Sequence, residues 1–245
     1  MPYRCAIEIT AAGILATDDR GRDVASPACA VVSMDGKRET LLLGYEALAQ
    51  SRLNPRQTYT RFWDKLDQQK LARPAASATT QAEIAWFHLQ SVWQTLLTQA
   101  GKSPDEVILA IPEGFGHARI ALLLGIAQSC DIPVVGLAEL AVAATSIVQG
   151  LEPDSAVYLD AAPHHLSATS LSTGEALLFD NSRVLLKQGL ADIYDQWADQ
   201  ISKQFLKESR FDPMHRASSE QALYQQLPKW LDALQTQPVV SAELQ

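Results

Sequence analysis

The chain has 245 residues, 47% of them hydrophobic and 20% charged, with a formal net charge of −8. That length holds one large domain or two small lobes around a buried core, and the composition is that of a soluble globular protein. The acidic balance excludes a broad nucleic-acid or anionic-membrane surface, which needs a basic face, and leaves room only for a local basic patch.

In chain order, Tyr3–Ile9 and Gly13–Thr17 read as a hairpin followed by the turn Asp18-Asp19-Arg20-Gly21. Ala28–Met34 and Glu39–Leu43 form a second strand pair across Asp35-Gly36-Lys37. Tyr45–Leu53 is a short helix stopped by Asn54-Pro55. Arg56–Pro74 is polar, with Tyr59, Phe62, Trp63 and Leu66 interspersed, and Pro74–Thr79 is a small-residue linker. Thr80, with Glu83 three residues on, makes a capping-box pattern that opens a long helix running to about Ala100.

The central block alternates strand and helix. Glu106–Ile111 is a buried-type strand, Pro112–Gly116 a loop and His117–Ser129 an apolar helix. Val134–Leu137 is the next strand, and Leu140–Val148 a helix ending at Gly150. This alternation means parallel strands joined by crossovers. Ser155–Asp160, Leu166–Leu171 and Ala176–Phe179 then form a second meander. Two helices follow, Gly189–Ser209 and Ser218–Leu234, divided at Asp212-Pro213, and Val239–Leu244 is expected as a last strand. Meander followed by helix occurs twice, which points to two lobes.

The first twenty residues lack a basic head with a long apolar stretch, and no apolar run reaches the ~18 residues of a membrane span. A reducing, cytoplasmic setting is the expectation. Cys5, Cys29 and Cys130 are too scattered for a zinc site or a disulfide framework and read as buried free thiols.

Two segments place an acid just before a tight turn: Ala6-Ile7-Glu8-Ile9-Thr10-Ala11-Ala12 and Val157-Tyr158-Leu159-Asp160-Ala161-Ala162-Pro163-His164-His165. Between and around them stand Ser26-Pro27 with Ala28–Val32, Leu43-Gly44-Tyr45-Glu46-Ala47-Leu48-Ala49 with Asn54-Pro55, Val107–Pro112 with Phe115 and Ala118, and Gly136-Leu137-Ala138-Glu139-Leu140-Ala141-Val142-Ala143-Ala144. In order and spacing these stretches, with the hairpin Tyr158–Leu171, resemble the actin and DnaK-type chaperone ATPase superfamily over nearly the whole chain. The resemblance implies an α/β, two-lobed actin-like ATPase (ribonuclease H-like) fold. Residues 1–150 would be the first lobe, and 151–245 a second, incomplete lobe with a helical insertion at about 189–236.

The resemblance places Glu8 and Asp160 where the family's phosphate-hairpin acids help hold Mg²⁺-bound water, and Glu139 where a Glu serves catalysis and interlobe coupling. These three are the candidate catalytic remnants. Thr10, Ala11, Ala162 and His164 fall where the nucleotide phosphates would be held. Such turns are glycine-rich in the family, so that backbone N–H groups approach the anion with no Cβ in the way. Here they read Ile-Thr-Ala-Ala and Ala-Ala-Pro-His-His, and Pro163 removes an N–H. The family's phosphate-contacting Lys has no counterpart at its spacing, although Arg61 and Lys65 lie nearby, and the chain stops before the adenosine-binding Gly-Gly motif.

Each candidate also has a plainer reading. Glu8 can be a solvent-facing strand residue, Asp160 a turn acid, and Glu139 an acid favourable to a helix dipole. His164-His165 would point to opposite faces of a strand and lack a third ligand at suitable spacing, so no metal site is expected.

The expectation is therefore a degenerate ATPase-fold protein with no bound cofactor, serving as a regulatory or scaffold module with a protein partner. Nucleic acid and membrane are not expected partners, and the oligomeric state stays open. Two alternatives stand beside it. One is a divergent active chaperone ATPase that binds ATP and Mg²⁺ and whose C-terminal part is missing. The other is an accessory interaction subunit like that of tRNA threonylcarbamoyl-adenosine modification, suggested by Gly114–Ala127. A half-built second lobe leaves an unpaired sheet edge. The reading favours a piece of a longer protein over a reduced fold covered by a partner or a second copy. Trp63, Trp93, Trp197 and Trp230 sit at helical spacing and are expected mostly in the core.

Overall fold

The computed structural model describes residues 2–36, 38–74, 78–112, 114–148, 154–186 and 189–244. The chain opens with three antiparallel strands, β1 (Arg4–Thr10), β2 (Gly13–Asp18) and β3 (Asp23–Pro27). A small side sheet follows, made of β4 (Ala30–Asp35), β5 (Arg38–Leu43) and, after helix α1 (Gly44–Leu48), the short β6 (Thr58–Tyr59). Helix α2 (Gln81–Ala100) leads into β7 (Glu106–Ile111), α3 (His117–Ser129), β8 (Val134–Glu139) and α4 (Leu140–Thr145). The C-terminal half holds β9 (Asp154–Ala161), β10 (His165–Thr173) and β11 (Leu177–Leu186), then α5 (Leu190–Ser209) and α6 (Ala217–Leu234).

The fold is mixed α/β. Its main sheet has five strands in the order β3-β2-β1-β7-β8, with β1, β7 and β8 mutually parallel. Parallel neighbours need a crossover, and α3 supplies the one between β7 and β8. Alternation along β1 buries Cys5, Ile7 and Ile9 and sends Ala6, Glu8 and Thr10 to the other face. Val107, Leu109 and Ile111 of β7 continue the buried layer, which packs on Ile84, Leu89, Val92, Trp93 and Leu96 of α2 and Leu123, Ile126 and Ala127 of α3. Both halves of the capping box at α2 are present: the Thr80 hydroxyl accepts from the Glu83 N–H at 3.2 Å, and the Glu83 carboxylate accepts from the Thr80 N–H at 3.2 Å.

Two polar clusters sit inside this layer. His88 is fully buried; its Nδ1 accepts from Trp63 Nε1 at 3.0 Å, so Nε2 carries the proton and donates to Ser26 Oγ at 2.7 Å. That tautomer cannot take a proton from Ser26, and burial pushes the imidazole down to about 4, so the pair is core architecture and not a nucleophile. At the opposite end of β1 and β2, the buried Asp18 carboxylate accepts from Tyr3 Oη (2.7 Å), Arg22 Nε (2.6 Å) and the N–H groups of Arg20 (2.8 Å) and Arg22 (3.0 Å).

The second sheet is a three-stranded antiparallel meander in the order β11-β10-β9. Helix α4 packs against β7 and β8 on one side and β10 and β11 on the other, joining the sheets. Helices α5 and α6 pair around Ala198, Leu223 and Leu227. They also reach back to the N-terminal half. The Gln221 side chain donates to Leu48 O (3.1 Å) and accepts from Arg52 N (2.8 Å), and the Arg52 guanidinium meets Asp195 and Glu220, each at 3.2 Å.

Several expectations are corrected. Residues Val239–Leu244 form no strand; Leu244 packs against the α5–α6 pair, and Val239 is 77% exposed. Helix α1 stops at Leu48 and gives way to turns before Asn54. Helix α4 stops at Thr145, and Gly150 lies outside the described residues, as do Lys37 of the expected turn, residues 75–77 of the linker and residue 113 of the loop. Strand β3 was not foreseen, and β11 runs to Leu186, well past Phe179. Trp63 and Trp93 are buried, but Trp197 is 41% exposed. Cys5, Cys29 and Cys130 are free and buried, with burial pushing their thiols up to about 12, 12 and 11. No helix among the described residues is long and apolar enough to cross a membrane.

Candidate functional site

The two acid-bearing hairpins meet where the N- and C-terminal halves face each other. Glu8 sits on β1, on the face turned away from the core, and Asp160 sits near the end of β9. Glu8 is half-buried, and burial raises its pKa first, with the Asp160 charge raising it further. Burial likewise raises Asp160, against the opposing pull of His165 and of the Ala161 N–H. The site thus holds two like charges near one another, each partly out of water.

Local bonding closes both turns. In the first, the Ala12 N–H donates to Thr10 Oγ1 at 3.1 Å, and Ala12 O accepts from the Ala28 N–H at 2.8 Å. Gly13, at φ +150, leaves no room for a side chain: a Cβ there would lie 2.2 Å from Ser26 O. In the second turn, Ala162 O and Pro163 O accept from the Leu190 and Ala191 N–H groups of α5 at 3.0 and 2.9 Å. The amides at the start of α5, the usual anion-holding end of a helix, are therefore spent on the hairpin's carbonyls. Asp192 adds a carboxylate there, accepting from the Gly189 N–H at 2.9 Å. Of the expected phosphate-holding residues, Ala11 and Ala162 are buried.

Glu139 comes from a third strand, in the main sheet. It ends β8, two strands from β1 and at the same end of the sheet, in register one residue beyond Ala138, which pairs with Ala110 as Glu8 does. It is exposed and occupies the N-cap of α4 without a side-chain capping bond.

His164 and His165 do not diverge as adjacent strand residues would, because His164 lies in the turn and only His165 is on β10. Both reach the same segment of the N-terminal half. His164 Nε2 donates to Thr60 O at 3.2 Å, and His165 Nδ1 lies 3.8 Å from Asp64 Oδ1. Arg61, which sequence reasoning named for its nearness to the missing Lys, is held by Asp64 at 2.7 Å. Burial, with Arg61 adding to it, lowers the His164 pKa and keeps it neutral. Asp64 escaped sequence reasoning altogether; its one local signal is the Arg61–Asp64 spacing. Among the described residues no group of three or more His, Cys, Asp or Glu is arranged to hold a metal ion.

The coupled carboxylates give a testable sign. The Glu8 pKa is raised above its ordinary 4.5, so the folded state binds that proton more tightly than the unfolded chain does. Its contribution favours folding at acid pH and is lost as pH rises through the folded pKa. Glu8→Gln is therefore expected to melt higher than the parent near neutral pH, with the gain disappearing on acidification below about pH 4. A lower melting temperature at neutral pH would count against the repulsion.

No family model matches the chain, and no curated protein matches it either.

Proposed function

We propose that the chain is a divergent protein of the actin and DnaK-type ATPase fold that does not hydrolyse ATP and acts as a regulatory or scaffold module through protein contacts. Two meanders, each sending an acid-bearing hairpin into a shared cleft, support this reading. In it, β1 to α4 form the first lobe and the C-terminal half belongs to the second.

The observation that carries the loss of hydrolysis is the state of the turns. Phosphate oxygens need backbone N–H groups aimed at them. The Ala12 N–H already serves Thr10, and the α5 N–H groups already serve Ala162 and Pro163. Arg61, whose charge acts on His164 of the second turn, is matched by Asp64. Glu8 and Asp160 then oppose one another as like charges, each partly buried.

The presence of that carboxylate pair favours the second reading, a divergent active ATPase. Calorimetric titration with ATP–Mg decides between the two. The expected result is no binding heat and no phosphate release. Micromolar binding, with turnover abolished by Glu8→Ala or Asp160→Ala, overturns the non-hydrolysing reading.

A further inference from the structure

A cavity of about 650 Å³ lies between the tips of the two hairpins, helix α1 and the α5–α6 pair. That volume falls in the range of small-molecule sites. Both halves of the chain build its wall: Ala12, Pro27 and Tyr45 from one, Pro163, Tyr194 and Tyr224 from the other.

The polar groups of the wall are mostly satisfied within the protein. The Thr58 hydroxyl donates to Asn54 O at 2.8 Å, and both ends of the Gln221 amide bond the backbone of α1 and the turn after it. The Tyr224 hydroxyl donates to the Asp195 carboxylate, and His164 Nε2 donates to Thr60 O. Among the described residues of the wall, Arg52 is the one permanent cation, and it is neutralised by Asp195 and Glu220 while its guanidinium lies 3.6 Å from the Tyr224 ring centroid. The remaining polar side chains of the wall, Ser51, Thr60, Gln225 and the Tyr45 and Tyr194 hydroxyls, carry no positive charge, so an anion finds no unpaired cation.

We infer that this cavity is a binding site for an uncharged, planar aromatic molecule. Flat apolar groups displace poorly bonded water at a gain. Tyrosine and proline surfaces receive rings by stacked or edge contacts. The inference uses only the wall's geometry and bonding and does not depend on the ATPase-fold reading.

Nile red, an uncharged planar fluorophore, is the probe. The parent protein is expected to bind it saturably, at one site per chain, with blue-shifted emission. Ala49→Trp, an exposed position on the wall, fills the space, and Tyr194→Ala removes a ring; each is expected to weaken binding by about tenfold or more. Leu159→Ser, on a strand face 74% exposed and away from the cavity, is expected to leave binding unchanged. Non-saturable binding, or binding lost in Leu159→Ser and kept in Ala49→Trp, overturns the inference. Displacement of the dye by ATP–Mg overturns the uncharged class of ligand, whereas ATP–Mg binding without displacement overturns only the non-hydrolysing reading.

Discussion

Gly189→Ala is expected to pry helix α5 away from the second hairpin and to lower stability by about 2–3 kcal/mol. The backbone at Gly189 is ordinary extended chain, so the objection is spatial. An added Cβ would lie 2.3 Å from Pro163 O, 2.5 Å from Pro163 C and 2.6 Å from His164 N. All three are backbone atoms, and none can swing aside as a flexible side chain would. Relief requires moving the hairpin or the helix, and either movement breaks the Leu190 and Ala191 hydrogen bonds to Ala162 and Pro163. Hydrogen exchange should therefore show lost protection at those two amides, alongside a lower urea midpoint. Unchanged protection at Leu190 and Ala191 would mean that the turn and helix are not in contact. Freed from the hairpin, the same amides would be available to an anion, so ATP–Mg titration of this variant also tests whether their engagement excludes phosphate.

Asp18→Ala is expected to cost about 3 kcal/mol at neutral pH, the scale for removing one partner of a buried charged network. The substitution leaves the Tyr3 hydroxyl, the Arg22 guanidinium and two backbone N–H groups without their shared acceptor. Burial alone would raise the Asp18 pKa, but the Arg22 N–H, the Tyr3 hydroxyl, the Arg22 guanidinium and the Arg20 N–H outweigh it and hold the carboxyl well below its ordinary 3.8. A depressed carboxylate stabilises the fold above its unfolded pKa and loses that contribution as pH falls through the folded value. The gap in urea midpoint between parent and variant should accordingly be widest near neutrality and shrink below about pH 4. A gap that stays constant into acid would show that packing, not charge, is what Asp18 supplies.

Elements whose signals are local were legible from the residues. The Thr80–Glu83 pair marks the start of α2 because both partners lie within one turn. The alternation of β1 and β7 reflects one face on a helical layer. By contrast, β11 continues through Asp180-Asn181-Ser182-Arg183, a stretch that reads as a turn in isolation. It is held as strand by partners on β10: Thr169 Oγ1 donates to Ser182 Oγ at 3.0 Å and Ser172 Oγ to Asp180 at 2.6 Å. Val239 and Val240 have the composition of a strand, but they follow α6 as irregular chain whose Leu244 packs on the α5–α6 pair. For the site, the missing glycines were visible, but the engagement of the turn amides was not. That depends on α5 arriving at Ala162 and Pro163 from beyond a whole strand pair. Nor could spacing reveal that Asp64 and His165 would approach one another from distant parts of the chain.

The Gln221 clamp has a kinetic consequence. Its partners lie 173 and 169 residues earlier in the chain, so this contact forms only after both ends exist and have been brought together. During synthesis the N-terminal portion leaves the ribosome first, with Tyr45 and the rest of its side of the cleft bare until the last helices emerge. Nascent chains in that interval are the ones for which a cellular holdase has most to cover.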